Sequence, residues 1–409
     1  MTRFEAPRGT HDILPSEQPL WQWVIGQMEE VCDLYGYRRI DTPGIEDTEL
    51  IIRTSGGGSD VVQKETYTFR DRGGRSLTLR PEGTAPICRA YIEHGLHREP
   101  QPQKLYTIGP MWRYDRPQKG RYREHWQLSV EAIGTDDPAV DAEVIQLYAE
   151  LLGRLGVTEY ELHLNTIGDQ TCRPKYIEEL TRWLDLNDHL LNEEARAKRR
   201  TSPLRVFDVK DANVQAALAS APDLSEYLCD ACREHFHAVR AHLNSYEIQY
   251  EIKHRLVRGL DYYTRTVFEF KSRDLGAQDS ICSGGRYDGL IEEIGGPPTP
   301  GMGFGAGVER LTFSVRGGPT KPAGVDVYFV CAESSDRDRV LPLLAELRRR
   351  GLRADMDYGG RSQKGQIGQA SRLGAGWTVI VDGDQATVRE PGRDDWTATL
   401  DELVDRISG

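Results

Sequence analysis

Glycine stands at every second position from 301 to 307. Successive side chains of a strand point to opposite faces, so this alternation leaves one face of a predicted strand without side chains. A flat group could lie directly on that bare backbone. The next residues, Val308, Glu309 and Arg310, predict a short helix that brings a cation beside the bare face. A plain glycine-rich turn would explain the glycines alone, so the interpretation depends on what the rest of the chain supplies.

A cation-rich loop lies between two β-type segments. Arg113 ends the first segment, and residues 116–123 carry four cations in eight positions. The second segment alternates strictly, and one of its faces carries the polar side chains His125, Gln127, Ser129 and Glu131. A surface hairpin with its polar face in water would give this pattern. A cationic tip above polar side chains also suits a phosphate attached to a polar ligand.

Two further segments are candidates for a site, although tyrosine and arginine often pack as structure. Residues 256–265 predict a turn that displays Arg258, Tyr262 and Tyr263 together, and residues 282–290 form a second Gly/Tyr/Arg segment. The chain has neither a G-x-x-x-x-G-K-[ST] loop nor a G-x-G-x-x-G turn between a strand and a helix. Any chemistry with ATP therefore needs a different phosphate cradle.

Periodicity changes several times along the 409 residues, a length that favours two or three domains. Short β-type runs fill residues 38–134 and predict an antiparallel sheet. Residues 172–245 are mostly helical and interrupt that pattern, and β-type runs return at 266–270. Residues 317–324 are rich in glycine and proline and predict a linker. The remaining residues, 325–409, alternate between strand and helix and predict a small α/β domain.

Composition excludes several classes of protein. The 52 basic and 64 acidic side chains give a net charge of −12, which argues against a non-specific DNA-binding protein. Uninterrupted apolar runs are too short for a membrane span of roughly 18 residues, and the N-terminus lacks the apolar stretch of a secretory signal. Seven cysteines without framework spacing indicate reduced thiols. The sequence therefore predicts a cytoplasmic protein.

One cysteine pair raises the possibility of zinc. Cys229 and Cys232 are followed by His235 and His237. Structural zinc takes four ligands, commonly as two pairs on turns, whereas these four residues all fall along one predicted helix. Cys232 also lies on the apolar side of that helix. The sequence thus predicts no tightly bound, protein-ligated metal.

Taken together, the candidate segments resemble a known enzyme family. Arg113 with its loop resembles motif 2, and the alternating glycines with Arg310 resemble motif 3, of class II aminoacyl-tRNA synthetases. Residues 256–265 and 283–290 are similar to the two histidine signatures of the histidyl-tRNA synthetase family. Residues 8–15 and 80–84 are similar to its N-terminal signature and its amino-acid-binding loop. The resemblance runs in order from residue 8 to about 313 and continues into the small C-terminal domain.

This resemblance implies an α+β fold, in which helices flank the antiparallel sheet of class II synthetases. A catalytic domain would comprise residues 1–171 and 246–316, with 172–245 as a helical insertion and 325–409 as an α/β domain of the anticodon-binding type. The implied reaction joins L-histidine to ATP, with Mg²⁺ on the nucleotide, and then transfers histidine from histidyl-adenylate to the 3′ end of tRNA(His). A homodimer formed through the motif 1 region, around residues 37–45, is also implied.

The resemblance also assigns roles to individual residues. The ATP site would contain Arg113, Arg121, His125, Arg258 and Arg310. Two of these, Arg113 and Arg258, would be catalytic, because they would grip the α-phosphate from opposite sides. The histidine site would contain Glu82, Gly83, Thr84, Gln127, Glu131, Tyr262, Tyr263 and Tyr287. Within it Glu131 and Tyr263 would bind the two imidazole nitrogens, and Tyr287 would close the pocket.

Two positions depart from the family pattern, and one alternative function has to be weighed. His125 stands where the family has a phenylalanine that stacks on adenine, and the loop 55–60 lacks the usual glutamate. The alternative is a non-catalytic, histidine-binding regulatory subunit of ATP phosphoribosyltransferase. Such proteins lose the first histidine signature and the C-terminal domain, both of which this chain keeps. Its residues 337–372 carry nine basic and four acidic side chains, a candidate RNA-facing surface.

Overall fold

A computed structural model describes residues 3–55, 65–257, 260, 262–273, 279–319 and 324–408. The chain divides into two compact units, Met1–Thr320 and Lys321–Gly409. The strands of the first unit are β1 (Arg38–Arg39), β2 (Ile45–Asp47), β3 (Thr68–Arg70), β4 (Ser76–Leu79), β5 (Gln103–Trp112), β6 (Glu124–Ile133), β7 (Tyr160–Thr166), β8 (Glu251–Ile252), β9 (Thr264–Ser272), β10 (Ser280–Arg286) and β11 (Gly301–Gly307).

Most of these strands belong to one sheet. In the described residues it has eight strands in the order β1-β5-β6-β11-β10-β9-β7-β8, and β2-β4-β3 form a separate small sheet. The six central strands of the large sheet are antiparallel, whereas β1 pairs with β5 and β7 with β8 in parallel. The predicted antiparallel sheet is therefore confirmed at its centre, and parallel pairs occur at its two edges.

Helices flank this sheet, as an α+β fold requires. They are α1 (Gln18–Leu34), α2 (Thr48–Ser55), α3 (Thr84–Glu93), α4 (Pro138–Arg154), α5 (Arg173–Leu186), α6 (Glu193–Thr201), α7 (Ala212–Leu218), α8 (Asp230–Ser245), α9 (Leu290–Glu293) and α10 (Val308–Ser314). Short 3-10 helices occur at Leu96–Arg98, Asp188–Leu190, Pro203–Asp208 and Leu224–Tyr227. None of the described helices is both long and apolar enough to cross a membrane.

The alternation predicted for β6 decides which side chains reach the site. Leu128, Val130 and Ala132 are fully buried in the main core. The opposite face is polar, and β11 lies beside it with Gly303 opposite Glu131. One face of β6 therefore packs in the hydrophobic core, and its other face carries polar side chains that are available to a binding site.

The segment between β7 and β8 is helical in its described residues. Its helices share an apolar cluster of their own, which runs from Cys172 to Cys232. The later part of α8 leaves that cluster, because Val239 and Leu243 belong to the main core. This helical segment is consequently anchored to the core of the large sheet through α8.

The second unit is a small α/β body. Its elements are β12 (Val327–Cys331), α11 (Ser334–Arg349), β13 (Ala354–Met356), α12 (Gln363–Arg372), β14 (Trp377–Asp382), β15 (Gln385–Arg389), β16 (Trp396–Thr399) and α13 (Leu400–Ser408). The strand order is β13-β12-β14-β15-β16. The first three strands are parallel, as the alternating pattern predicted, and an antiparallel pair and a final helix extend the unit.

Candidate functional site

A cavity of about 320 Å³ opens on the large sheet of the first unit. Roughly 300–1,000 Å³ is typical of sites that bind small molecules. Strand β6, strand β11, the loop after β5 and the start of α3 supply its walls. Its lining comprises Glu82, Thr84, Arg113, Asp115, Gly120, Arg121, Tyr122, His125, Gln127, Leu260, Tyr262, Tyr263, Ser280, Ile281, Cys282, Ser283, Gly305, Gly307, Glu309 and Arg310.

One side of the cavity is cationic. Arg113 follows β5 and its Nε donates a hydrogen bond to the carbonyl oxygen of Pro81 at 2.8 Å. Arg121 comes from the loop and is paired with Asp115. Arg310 comes from α10, and backbone carbonyl oxygens of Gly120 and Ser280 accept its hydrogen bonds at 2.8 and 2.5 Å. Segments far apart in the sequence thus bring guanidinium groups to one cavity.

These cations repel one another. The pKa of Arg310 is lowered, first by burial and then by Arg121 and Arg113. An arginine nevertheless stays charged at any physiological pH, so these three side chains continue to repel one another. A polyanion bound between the three side chains would relieve it, which makes this wall suited to a polyphosphate.

The neighbouring wall is polar and rigid. Both carboxylate oxygens of Glu82 accept backbone N–H groups at the start of α3, from Thr84 at 2.6 Å and from Ala85 at 2.9 Å. Gly83 has no room for a side chain, because a Cβ there would lie 2.3 Å from Ser129 Oγ. The close contact packs the start of α3 against β6 and fixes the position of Glu82 and Thr84.

Glu131 lies behind this wall and is absent from the described lining of the cavity. Its carboxylate accepts hydrogen bonds from the hydroxyl groups of Thr84 at 2.7 Å and Tyr287 at 2.6 Å. It is fully buried, and this burial raises the pKa of Glu131 well above its usual range. Tyr287 therefore belongs to the network around Glu131. Tyr262 and Tyr263 do line the cavity, with their ring centroids 4.6 Å apart.

The bare face of β11 serves mainly the side chains of the protein itself. A Cβ at Gly301 would lie 2.1 Å from the Tyr287 ring, and one at Gly303 would lie 1.9 Å from Glu131 Oε2. Only Gly305 and Gly307 of this strand border the cavity. A Cβ at Gly305 would lie 2.7 Å from Gln127 Nε2, whereas one at Gly307 would lie no closer than 3.8 Å to its nearest neighbours, the side-chain atoms of Arg310. The surface open to a flat ligand is thus shorter than the alternation alone predicted.

His125 occupies the cavity wall as a neutral imidazole. Burial, followed by the charges of Arg113 and Arg310, lowers the pKa of His125 to about 3. The ring therefore presents an uncharged face to a ligand at neutral pH, and adenine is the ligand expected there.

The low pKa of His125 predicts a measurable pH effect on stability. Below its ordinary pKa of 6.5, the unfolded chain binds a proton that the folded chain excludes, so the free energy of unfolding falls as the pH drops towards 3. We expect His125→Phe to remove this contribution, which is at most about 1.4 kcal/mol per pH unit. Urea unfolding of the unsubstituted protein and of His125→Phe, between neutral pH and pH 4, measures this contribution. If the free energy of unfolding of the two proteins changed with pH in parallel, the low pKa of His125 would be contradicted.

Two of the predicted regions fall outside the described residues. Arg258 is one of them, although Leu260, Tyr262 and Tyr263 of the same segment border the cavity. The other is the loop that departs from the family pattern, of which residues 56–60 are not described.

Glu309 is a site residue that sequence reasoning missed. It lines the cavity, its Oε1 accepts the Trp126 N–H at 2.8 Å, and burial raises the pKa of Glu309 to about 7. Its Oε2 is buried without a hydrogen-bond partner among the described residues. Its position next to Arg310, just after the alternating glycines, could have indicated a site residue. The sequence pattern was used to assign a role to Arg310 alone.

Comparisons with known proteins show the family to which the chain belongs. A family model described as Histidyl-tRNA synthetase matches residues 9–311. The Histidine--tRNA ligase of Pelotomaculum thermopropionicum is 47% identical over 92% of this chain and 89% of its own length. That of Caldanaerobacter subterraneus subsp. tengcongensis is 45% identical over 92% and 91%. The crystal structure of apo S. aureus histidyl-tRNA synthetase is 34% identical, with a TM-score of 0.83 and full coverage of both chains. This chain belongs to the histidyl-tRNA synthetase family.

Proposed function

We propose that the cavity on the large sheet is where this chain performs its reaction, the ATP-dependent attachment of histidine to tRNA. Histidine attacks the α-phosphate of ATP through its carboxylate, pyrophosphate leaves, and the 3′-terminal ribose of the tRNA then takes the histidyl group. The observation that carries the proposal is the convergence of Arg113, Arg121 and Arg310 beside a polar pocket. Negative charge develops on the phosphates during activation, and fixed cations stabilise it.

The arginines on the cationic side of the cavity bind different groups of the substrates in this proposal. Arg113 binds the α-phosphate and the reacting carboxylate, and the family resemblance assigns Arg258 to the same phosphate. Arg121 and Arg310 bind the β- and γ-phosphates, and adenine stacks on His125 above Gly305. ATP brings Mg²⁺ with it. The unpartnered Oε2 of Glu309 is a hard oxygen ligand that fits this ion and would hold it near the phosphates.

The pocket beyond this wall selects histidine. Glu82, Thr84 and Gln127, together with Gly83 at the start of α3, hold the amino and carboxylate groups. Tyr262 and Tyr263 border the imidazole ring. Glu131 acts from behind the wall, because its carboxylate holds the hydroxyl groups of Thr84 and Tyr287 in place. A ligand without such a ring leaves buried polar groups unpaired, which costs about 1–3 kcal/mol per group. Such a pocket rejects other amino acids without a separate editing site.

Substituting Glu131→Gln tests the histidine pocket. Its carboxylate accepts from two hydroxyl groups, whereas an amide presents a donor to one of them. We expect the KM for histidine to rise on the order of tenfold while the KM for ATP stays unchanged, from the loss of one charge-assisted hydrogen bond. Glu46→Gln is the matched control, because Glu46 is also buried but pairs with Arg89 outside the cavity at 2.6 Å. An unchanged KM for histidine would contradict the assignment.

The second unit is proposed to bind the anticodon region of the tRNA. Its basic stretch is partly neutralised, because Arg339, Arg350 and Arg353 pair with carboxylates of Asp384, Asp405 and Asp326. Those carboxylates lie outside residues 337–372. The proposal therefore relies on the unit's surface as a whole and on single-stranded bases as its target. We also propose a homodimer through the region around residues 37–45, where β1 forms an edge of the large sheet, and a cytoplasmic location.

Histidine-dependent exchange of pyrophosphate into ATP tests the function. We expect exchange with histidine and none with the other common amino acids, followed by charging of tRNA(His). Histidine binding without any exchange would favour the regulatory alternative instead. Repeating the assay with Arg258→Ala tests that residue separately, since full activity of the variant would remove Arg258 from the mechanism and leave the function standing.

A further inference from the structure

Asp169, Cys172, Cys229 and Cys232 come together at one end of the helical segment. Their ligand atoms, one from each residue, all lie within 4.8 Å of one another. The residues form two pairs with two residues between the members of each, Asp169 with Cys172 and Cys229 with Cys232. His235 and His237, which follow the second pair along α8, do not belong to this group.

The distances within the cluster match a tetrahedral metal site. With a Zn–S bond of about 2.3 Å and a Zn–O bond of about 2.0 Å, tetrahedral geometry places two sulfurs about 3.8 Å apart and a sulfur and an oxygen about 3.5 Å apart. The Sγ atoms of Cys172 and Cys232 are 3.8 Å apart. Asp169 Oδ1 lies 3.5 Å from Cys172 Sγ.

The backbone around the cluster supports metal-bound thiolates. Each pair sits at the start of a helix, with Cys172 preceding α5 and Cys229 preceding α8. The Asp169 N–H donates to Cys172 Sγ at 3.4 Å, an outer contact of the kind that orients metal ligands. Gly168 has a positive φ of 65°, and a Cβ there would lie 2.8 Å from Cys172 Sγ. The turn is therefore shaped closely around the sulfur.

The charge near the cluster is also suitable. Three thiolates and one carboxylate around a divalent ion leave two excess negative charges. Arg265 offsets part of that excess, because its Nη2 lies 3.5 Å from Asp169 Oδ2. Cys172 and Cys232 are buried and Cys229 is half-buried, so the site is closed to solvent on most sides.

We propose that Asp169, Cys172, Cys229 and Cys232 bind one structural Zn²⁺ ion. Soft thiolates in a closed tetrahedral set favour zinc over magnesium or calcium. Binding releases the three thiol protons to solvent and changes no oxidation state. The ion would join the end of β7 to the start of α8. Arg173 follows Cys172 directly, and its Nη2 donates a hydrogen bond to the Tyr263 carbonyl oxygen at 2.8 Å. Through this contact the bound ion would also stabilise the backbone beside the cavity.

Metal content is the first test and is independent of enzymatic activity. Protein purified under reducing conditions and without chelator is expected to hold about one zinc per chain. After the zinc is removed, added Co²⁺ is expected to give thiolate-to-cobalt charge-transfer bands. Reduced protein that neither retains zinc nor gives these bands would overturn the proposal. So would a disulfide between Cys172 and Cys232 in the same preparation.

Variants identify the ligands. Cys229→Ser changes the half-buried ligand, which the fold tolerates best, and is expected to weaken zinc binding at least 100-fold. Cys331→Ser is the matched control, because Cys331 is buried in the second unit and should leave the metal content unchanged. Asp169→Cys should retain the metal and strengthen the cobalt charge-transfer bands, since a fourth thiolate is added. Unchanged bands in that variant, or equal zinc binding in Cys229→Ser and the control, would overturn the ligand set.

Discussion

Replacing Gly303 with alanine is expected to abolish histidine-dependent pyrophosphate exchange and to destabilise the first unit. The added Cβ would lie 1.9 Å from Glu131 Oε2 and 2.5 Å from the Val130 carbonyl oxygen. A backbone atom in the middle of a sheet cannot move away cheaply, so we expect a loss of about 3 kcal/mol in the free energy of unfolding. Glu131 would also be displaced from its bonds to Thr84 and Tyr287. Urea unfolding and the exchange assay measure the two effects.

Gly307→Ala is the control on the same face of the same strand. Gly307 borders the cavity, and the nearest atoms to a Cβ there belong to the side chain of Arg310, no closer than 3.8 Å. The fold should keep its stability, whereas the KM for ATP should rise because the methyl group enters the space assigned to the nucleotide. Equal destabilisation by the two substitutions would contradict the account of the bare strand face.

Replacing Arg310 with alanine is expected to slow the exchange reaction by about 100- to 1,000-fold. The guanidinium group is held in place by the Gly120 and Ser280 carbonyl oxygens before any ligand arrives, so its charge is oriented in advance. Stability should change little, because removing Arg310 also removes its repulsion with Arg113 and Arg121. The rate of exchange at saturating histidine and ATP, measured beside the unfolding free energy, separates the two effects.

Two further variants control this experiment. Arg310→Lys keeps the charge but loses the planar fork of donors, so an intermediate rate is expected. Arg75→Ala removes an exposed arginine that is paired with Asp71 and does not line the cavity, and the rate should not change. If Arg310→Ala exchanged pyrophosphate as fast as Arg75→Ala, Arg310 would have no part in the chemistry.

The sequence predicted the fold class and the alternation of β6 correctly, because both follow from local periodicity. The same alternation could not show that the polar face changes along its length. His125 and Gln127 line the cavity, whereas Glu131 is covered by the start of α3. That cover depends on contacts with Thr84 and Gly83, which a pattern in one strand does not contain.

The alternating glycines show a second limit. Their spacing correctly predicted a strand face without side chains, but not what occupies it. Tyr287, Glu131 and Gln127 lie against most of that face, so the space left for a ligand is at its end, where Gly305 and Gly307 border the cavity. A strand face without side chains indicates that another group packs closely on its backbone. Only the three-dimensional packing shows whether that group belongs to the protein or to a ligand.

Contacts between distant segments are a third limit on what the sequence could predict, both for the cysteine pair and for the basic stretch of the second unit. Cys229 and Cys232 looked incomplete because Asp169 and Cys172 reach them from a distant part of the chain. The positive charge of residues 337–372 looked larger than it is, since carboxylates outside that range pair with several of its arginines. Both cases depend on contacts between segments, and a count along the sequence cannot include them.

A crystal structure with a non-hydrolysable analogue of histidyl-adenylate tests the central claim most directly. We predict that the phosphate-like group lies at Arg113, that the adenine lies between His125 and the Gly305 backbone, and that the imidazole lies beside Tyr263. The analogue bound elsewhere on the first unit, or in this cavity with its phosphate-like group away from Arg113, would contradict the assignment of the site.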